Sequence, residues 1–314
     1  MLLINSRLIN VPESQFFRTD PLINCPPEER IQKLLEILSP LNSPKRHQDM
    51  RAKRYAGSGR WLLQHPRFIQ WADYSNKDAD RMLCCYGMPG AGKTIIRYGQ
   101  VKSWIYFLLM LPLSSVVIDN LVAQHGRENV AYMYCDYRDQ TNQTVVNILG
   151  NLLKQLLITA AFVPEVITTM LEPLKKEGRR VEVGDISQML KALLPQRNNC
   201  NFLCLDALDE LEPRTRFALL KALHTDFGTV RIFITGRPHI QPEVDGALQT
   251  KLDAMHITAD SGDIRGYLTH EIEEDMNINP DDMNDQLKEE ILETITSKAG
   301  GMYVMYFSVF ACRL

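Results

Sequence analysis

Residues 87–94 read Gly87-Met88-Pro89-Gly90-Ala91-Gly92-Lys93-Thr94, which fits the phosphate-binding pattern G-x-x-x-x-G-K-[ST]. The apolar stretch 81–86 before this loop predicts a buried strand, and residues 94–96 can begin a helix. Glycines let backbone N–H groups wrap a phosphate, and the first turn of a helix adds a positive dipole end. We expect Lys93 to contact the β- and γ-phosphates and Thr94 to ligate Mg²⁺. The alternative is a glycine-rich turn that binds nothing.

A second element supports the phosphate loop. The apolar run 201–205 ends in Asp206, and Asp209 and Glu210 follow just beyond it. A carboxylate at the carboxyl end of a central strand can hold Mg²⁺ directly or through water. We expect Asp206 to hold the metal and Glu210, with Asp209, to position or deprotonate the attacking water. On its own, such an acidic cluster more often caps a helix or lies in a solvated loop.

A third element repeats the arrangement of an apolar run followed by a polar turn. Residues 230–234 predict a strand, and Thr235 and Arg237 come next. From a neighbouring strand, both side chains would face the γ-phosphate, and the planar guanidinium of arginine suits a phosphate. The alternative is that Arg237 caps a loop or pairs with a surface carboxylate.

The order of these three motifs resembles that of the NACHT-type P-loop NTPases of the STAND class. The stretches are GMPGAGKT at 87–94, CLDALDEL at 204–211 and FITGRP at 233–238. Weaker likenesses to fungal NACHT proteins with ankyrin or WD repeats extend over roughly residues 30–302. They lie in residues 44–63, 131–137, 263–267 and 299–302.

The resemblance implies an α/β fold with a mostly parallel five-stranded sheet in the order 5-1-4-3-2. It also implies ATP, or GTP, as the ligand with Mg²⁺, slow hydrolysis and a nucleotide-dependent conformational switch in signal transduction, including innate-immunity or heterokaryon-incompatibility responses. Self-association, with effector and repeat domains outside this chain, would follow. A nucleotide-stabilised scaffold without catalysis is the alternative. A motor acting on nucleic acid would need a basic groove with interleaved aromatic residues, and the sequence shows only one basic run.

Hydrophobic periodicity gives a similar fold without the resemblance. Apolar runs predict strands, and apolar residues at 3–4 spacing predict the helices between them. Such alternation indicates a parallel sheet with helices on both faces and short helical extensions at both ends. The predicted strands are 81–86, 130–135, 201–206, 230–235 and 253–258, and the predicted helices are 28–38, 60–70, 140–158, 163–175, 185–194, 214–224 and 262–298.

Composition bounds the class of protein. Of 314 residues, 45% are hydrophobic and the net charge is −3, so the chain lacks the global positive charge typical of nucleic-acid binders. Basic residues concentrate in 45–67 and acidic ones in 271–290, and a solvated helix face is the simplest interpretation of each run. Seven cysteines without a C-x-x-C pair favour a reducing compartment, which predicts a cytoplasmic protein.

The domain organisation follows from these elements. Residues 30–79 predict a helical lead-in, 80–260 the NTPase core and 261–302 part of a helical lid. Residues 1–29 resemble a linker or the remnant of a lost domain, and we interpret 303–314 as a read-through tail.

The segment 97–114 fits the core badly, since residues 104–113 are apolar throughout. The run is too short for a membrane span, which needs about 20 residues. Removing 97–114 would join the phosphate loop to one continuous helix, so the segment is interpreted as an insertion or a retained intron. The alternative is an apolar hairpin that docks a partner.

Overall fold

A five-stranded parallel sheet forms the centre of the molecule. The computed structural model describes residues 35–52, 54, 57–76, 79–87, 112–159, 163–196, 201–226, 230–257, 260–278 and 284–298. The strands are β1 (Met82–Gly87), β2 (Val130–Tyr134), β3 (Phe202–Asp206), β4 (Arg231–Gly236) and β5 (Met255–Ile257). They run in the order β2-β3-β4-β1-β5 with parallel pairs throughout. This is the predicted order 5-1-4-3-2, seen from the other edge, and the prediction is confirmed.

Helices cover both faces of the sheet, as the alternating pattern predicts. The first four are α1 (Ser43–Ala52), α2 (Arg60–Gln64), α3 (Pro66–Ala72) and α4 (Pro112–His125). The next five are α5 (Val145–Ile158), α6 (Glu165–Glu177), α7 (Val183–Leu193), α8 (Pro213–Asp226) and α9 (Gln241–Leu248). The last two are α10 (Ser261–Ile278) and α11 (Asp285–Lys298).

The two faces bury different kinds of side chain. Helices α5 to α9 pack a mainly aliphatic, leucine-rich cluster against one face. Helices α1, α3 and α4 pack on the other face, where Phe68, Trp71 and Phe202 contribute aromatic rings. Alternate residues of β1 divide between the clusters: Cys84 belongs to the first and Cys85 to the second. This period of two is what a strand buried on both faces requires.

Helix boundaries depart from the predictions where local chemistry interrupts the pattern. The predicted helix 60–70 is divided between α2 and α3, because Pro66 drives His65 into extended backbone, with φ −68° and ψ 131°. The predicted helix 140–158 begins only at Val145, since the Thr144 side chain accepts a hydrogen bond from the amide of Asn147 and caps the helix. The predicted helix 262–298 is divided between α10 and α11.

Helix α4 includes the end of the suspected insertion. It begins at Pro112, and Leu113 and Ser114 have their side chains buried. Residues 88–111 lie outside the described part of the chain, so most of the segment 97–114 is not tested and its boundaries stay a prediction. The proposed remnant at 1–29 and the proposed tail at 303–314 also lie outside it.

The outer edge of β2 is paired with glutamine side chains. The Gln155 side chain accepts from the Tyr132 amide at 3.2 Å and donates to the Tyr132 carbonyl at 2.7 Å. Gln143 repeats the pattern at Asp136, two residues beyond the end of β2, with both distances at 3.1 Å. Each glutamine therefore binds an edge residue through the two backbone groups that a neighbouring strand would use.

Within the described residues, no helix has the length and hydropathy needed to cross a membrane.

Candidate functional site

The carboxyl ends of the central strands meet at one edge of the sheet, and those predicted site residues that the structure describes lie there. Gly87 ends β1, Asp206 ends β3 and Gly236 ends β4. The register pairs Tyr86 with Gly236 and Tyr134 with Asp206, so these ends are level with one another. Of the phosphate loop, only Gly87 is described. Met88, Pro89, Gly90, Ala91, Gly92, Lys93 and Thr94 lie outside the described residues, and their roles stay predictions.

Asp206 is a buried carboxylate held by two hydroxyl groups. Thr235 donates from Oγ1 to Asp206 Oδ1 at 2.6 Å, and Ser114 of α4 donates to the same oxygen. Thr235 also accepts from the Ala207 amide at 2.9 Å, so its hydroxyl is oriented. Burial raises the pKa of Asp206, and the two hydroxyls oppose that rise. Among the described residues, the second oxygen, Oδ2, receives no hydrogen bond.

The acidic turn, residues 208–210, forms a single 3-10 turn directly after β3. Ala207 begins it with φ 53°, a left-handed conformation that an L-residue adopts at a cost. Strand β3 lies between β2 and β4, so the turn after β3 has a neighbouring strand on each side. Asp209 lies on the side of β4, and Glu210 lies on the side of β2. Neighbouring acids in the sequence therefore meet different partners.

Asp209 binds Arg237, the residue predicted to sense the γ-phosphate. Its Oδ2 lies 3.0 Å from Arg237 Nε, and its Oδ1 accepts from the Arg237 amide at 3.2 Å. The Asp209 side chain is 7% exposed and that of Arg237 is 33% exposed, so the pair lies at the rim of the site. The structure thus brings both residues to the expected edge, where they bind each other.

Glu210 has a different environment. Its Oε2 accepts from the Tyr137 amide at 3.1 Å, and Gln140 donates to its backbone carbonyl at 3.5 Å. Burial raises the pKa of Glu210, whereas the Tyr137 amide lowers it. Within the described part of the chain, no cation forms an ion pair with Glu210. A carboxylate with a raised pKa and no cationic partner is suited to proton transfer.

The basic run 45–67 forms ion pairs at the rim of the site and with α4, besides the pair of Arg67 with Asp253 at 2.6 Å. Arg46 of α1 lies 3.4 Å from Asp136, which follows β2 at the same edge of the sheet. Arg51 and Arg54 pair with Asp119 of α4 at 3.2 and 2.9 Å. The run 45–67 therefore contacts α4 and the rim of the site.

Sequence reasoning missed three residues of this site. Ser114 was assigned to the suspected insertion, and nothing marked Tyr137, which acts through its backbone amide. Arg216 of α8 was also missed: it donates to the carbonyls of Asp209 at 3.3 Å and Leu211 at 2.9 Å. The sequence does contain one signal for Arg216. The helical spacing of Leu219 and Leu223 predicts that position 216 faces the core, and a cation occupies that position.

Comparison with known proteins gives one family. The model described as nephrocystin 3, N-terminal, matches residues 57–103 and 112–237, which is more than half of the chain. The match leaves out residues 104–111, within the suspected insertion. No curated protein matches the chain.

Several solved structures are similar at low identity, and three of them follow. Cdc6p from Pyrobaculum aerophilum is 16% identical with a TM-score of 0.35, covering 60% of this chain and 42% of that one. The Aeropyrum pernix ORC1 protein in complex with DNA is 14% identical with a TM-score of 0.33, covering 79% and 64%. Drosophila ORC bound to AT-rich DNA and Cdc6 is 11% identical with a TM-score of 0.35, covering 100% and 50%. This chain spans less than two thirds of each, and similarity at this level does not bear on function.

Proposed function

The chain belongs to the nephrocystin 3 N-terminal family, and we propose that it is the NTPase module of a signalling protein of the NACHT type. In this proposal it binds ATP, or GTP, with Mg²⁺ at the carboxyl edge of the sheet and hydrolyses it slowly. One observation carries the proposal: Asp206, buried and bonded to Ser114 and Thr235, ends β3 four residues before Glu210, at the same edge of the sheet where β1 leads into the glycine-rich loop. Self-association, partner domains outside this chain and a cytoplasmic location remain expectations from the sequence.

The donor set at Asp206 fits Mg²⁺. Mg²⁺ prefers hard oxygen ligands, and Asp206 has one carboxylate oxygen that no described residue bonds. Among the described residues no cation forms an ion pair with this buried carboxylate, which makes its negative charge costly until a cation binds. Asp206 would hold the ion together with Thr94, and the ion when bound would neutralise charge on the phosphates. Ser114 and Thr235 fix the orientation of the carboxylate.

Glu210 and Arg237 would act on the reacting end of the nucleotide. Glu210 is oriented by the Tyr137 amide and can accept a proton from an attacking water. Arg237 has its guanidinium on Asp209, so a γ-phosphate would compete with that carboxylate for the arginine. Exchange of Arg237 between an acid of the protein and a phosphate of the ligand would couple nucleotide state to the loop after β4. That coupling is the basis of the proposed switch.

The same pairing supports a second candidate, a nucleotide-stabilised scaffold without turnover. With Arg237 bound to Asp209 and Glu210 bound to an amide, all three predicted catalytic side chains are engaged by the protein itself. A site that keeps these contacts when nucleotide binds would hold the ligand and leave it intact. Hydrolysis measurements separate the two candidates.

The test compares Glu210→Gln with Glu212→Gln, a matched change at an exposed neighbouring position. We expect the wild type to bind Mg-ATP or Mg-GTP and hydrolyse it, with turnover counted per nucleotide-binding site. Glu210→Gln should lose about a hundredfold or more in kcat with affinity within about twofold, since only general-base positioning is removed. Glu212→Gln should match the wild type. Binding without turnover in the wild type would support the scaffold, and no affinity for any Mg-nucleotide would end both proposals.

The suspected insertion also remains a proposal, with one refinement. Because Leu113 and Ser114 lie buried in α4, removing residues 97–111 should preserve that helix, whereas removing 97–114 also deletes the hydroxyl bonded to Asp206. We expect the shorter deletion to give the larger nucleotide-dependent thermal shift. Sequencing the mature transcript tests the retained intron separately: uninterrupted coding sequence across 97–114 in the dominant transcript would refute it.

A further inference from the structure

Arg216 is a buried arginine on the core-facing side of α8. It is 3% exposed, and Leu219, Leu220 and Leu223 continue the same side of the helix with no measurable exposure. Burying an unpaired guanidinium is costly, so its presence requires specific partners. Those partners lie at the acidic turn after β3 and in α9, which follows β4.

The guanidinium contacts three separate points. Its Nη1 donates to the carbonyl of Asp209, within the acidic turn, at 3.3 Å and to that of Leu211, the residue after the turn, at 2.9 Å. Its Nε donates to Glu243 Oε2 at 2.9 Å, and its Nη2 donates to the same oxygen. Glu243 lies in the first turn of α9, the helix that follows the Arg237 turn. One side chain thus joins the segment after β3 to the segment after β4.

The chemistry of this contact is specific to arginine. A guanidinium presents five N–H donors in a rigid plane, which lets it bind two carbonyls and a carboxylate together. A lysine ammonium lacks that planar fork. An apolar residue would pack in the leucine stripe but would leave the carbonyls of Asp209 and Leu211 without this donor.

We propose that Arg216 is a positioning residue: its contact with Glu243 fixes the acidic turn so that Asp209 meets Arg237 and Glu210 meets the Tyr137 amide. The inference rests on the proposed function for its catalytic consequence. The arrangement of the turn itself can be tested without nucleotide. Two amides report on it directly, because the Tyr137 N–H donates to Glu210 and the Arg237 N–H donates to Asp209.

The first experiment follows hydrogen exchange at these two amides in the intact chain without nucleotide. Arg216→Lys should accelerate exchange of both amides about tenfold relative to the wild type, since the turn loses its fixed position. Glu243→Gln, a change at a half-exposed side chain that spares the core, should accelerate both by about threefold. Arg214→Met, at an exposed position on the same helix, should leave them unchanged. Unchanged exchange in both Arg216→Lys and Glu243→Gln would overturn the inference.

The second experiment measures catalysis per nucleotide-binding site. Arg216→Lys should lower kcat about tenfold with KM within about twofold, and in a Glu210→Gln background the same change should lower kcat less than twofold. Equal losses in both backgrounds would show a general structural role and overturn the catalytic part. If the wild type shows no turnover, the proposed function fails, while the amide exchange still decides whether Arg216 holds the turn.

Discussion

Arg216 and Arg231 are buried arginines that lie at opposite ends of the parallel strands. Arg216 lies at the carboxyl edge of the sheet and Arg231 at the amino edge, and their guanidinium groups bind different kinds of partner. Arg231 begins β4 at the amino edge, is 6% exposed, and has its guanidinium 5.6 Å from the Tyr74 ring centroid. Its donors go to backbone carbonyls alone among the described residues: those of Asp73, Asn76, Ala79 and Asp80. Arg216 instead divides its donors between two carbonyls and the Glu243 carboxylate.

The difference shows that a buried cation acquires its role from the loop that it holds. At the amino edge, Arg231 closes the segment that leads into β1, and the proposed chemistry lies at the far end of the strands. At the carboxyl edge, Arg216 holds a turn that carries Asp209 and Glu210. Two arginines of similar burial are therefore expected to have unequal effects on the ligand.

The largest effect on stability is expected at the amino edge. Arg231→Met removes the donor for several carbonyls, and leaving buried carbonyls unpaired should lower the free energy of unfolding by about 3 kcal/mol. Nucleotide affinity per folded molecule should stay within about twofold of the wild type. Denaturant unfolding and equilibrium binding measure the two quantities. If Arg231→Met were as stable as the wild type but bound nucleotide more weakly, the proposed difference between the amino and carboxyl edges would be wrong.

Asp206→Asn should give the reverse result. Without ligand, this variant should be as stable as the wild type or more stable by about 1 kcal/mol, because a buried charge without a cationic partner is replaced by a neutral amide. At a ligand concentration one hundred times the wild-type Kd, the variant should lose stabilisation of about 2.7 kcal/mol. Asp80→Asn, an exposed acid at the amino edge, serves as the control. If Asp206→Asn keeps the full Mg-nucleotide stabilisation, Asp206 does not hold the metal.

The smallest effect is a pH dependence confined to the carboxyl edge. Burial raises the pKa of Asp206 above its ordinary value of 3.8, so the folded chain holds this proton more tightly than the unfolded chain. The stability from this group is fully present below 3.8 and is lost as pH rises through the folded pKa. As pH rises over that window, the free energy of unfolding should therefore fall more steeply in the wild type than in Asp206→Asn. Arg231→Met should keep the wild-type slope, and a reversed slope difference would refute the assignment.

Sequence reasoning predicted the strands, and the position of the acids after β3, because both depend on local patterns. Buried strands give continuous apolar runs, and the acidic turn directly follows one of them. The pairing of Asp209 with Arg237 could not be read from the chain, since it requires β3 and β4 to lie side by side. The contact between Glu210 and the Tyr137 amide likewise requires β2 on the other side.

Two other features escaped prediction for physical reasons. The division between α2 and α3 was overlooked because the apolar periodicity continues across Pro66, although its restriction on His65 is a local rule. The role of Ser114 was hidden because the apolar run around 104–113 suggested that the whole segment stands apart from the core. In the structure, α4 begins inside that run.

The glutamine pairs on β2 have a consequence for how copies of this chain could aggregate. An open edge strand is a template for fibril-like growth, in which a second chain adds its own strand. At Tyr132 and Asp136 an incoming strand would first have to displace the Gln155 and Gln143 amides. Replacing both glutamines would remove this protection and expose the border of the sheet to such growth.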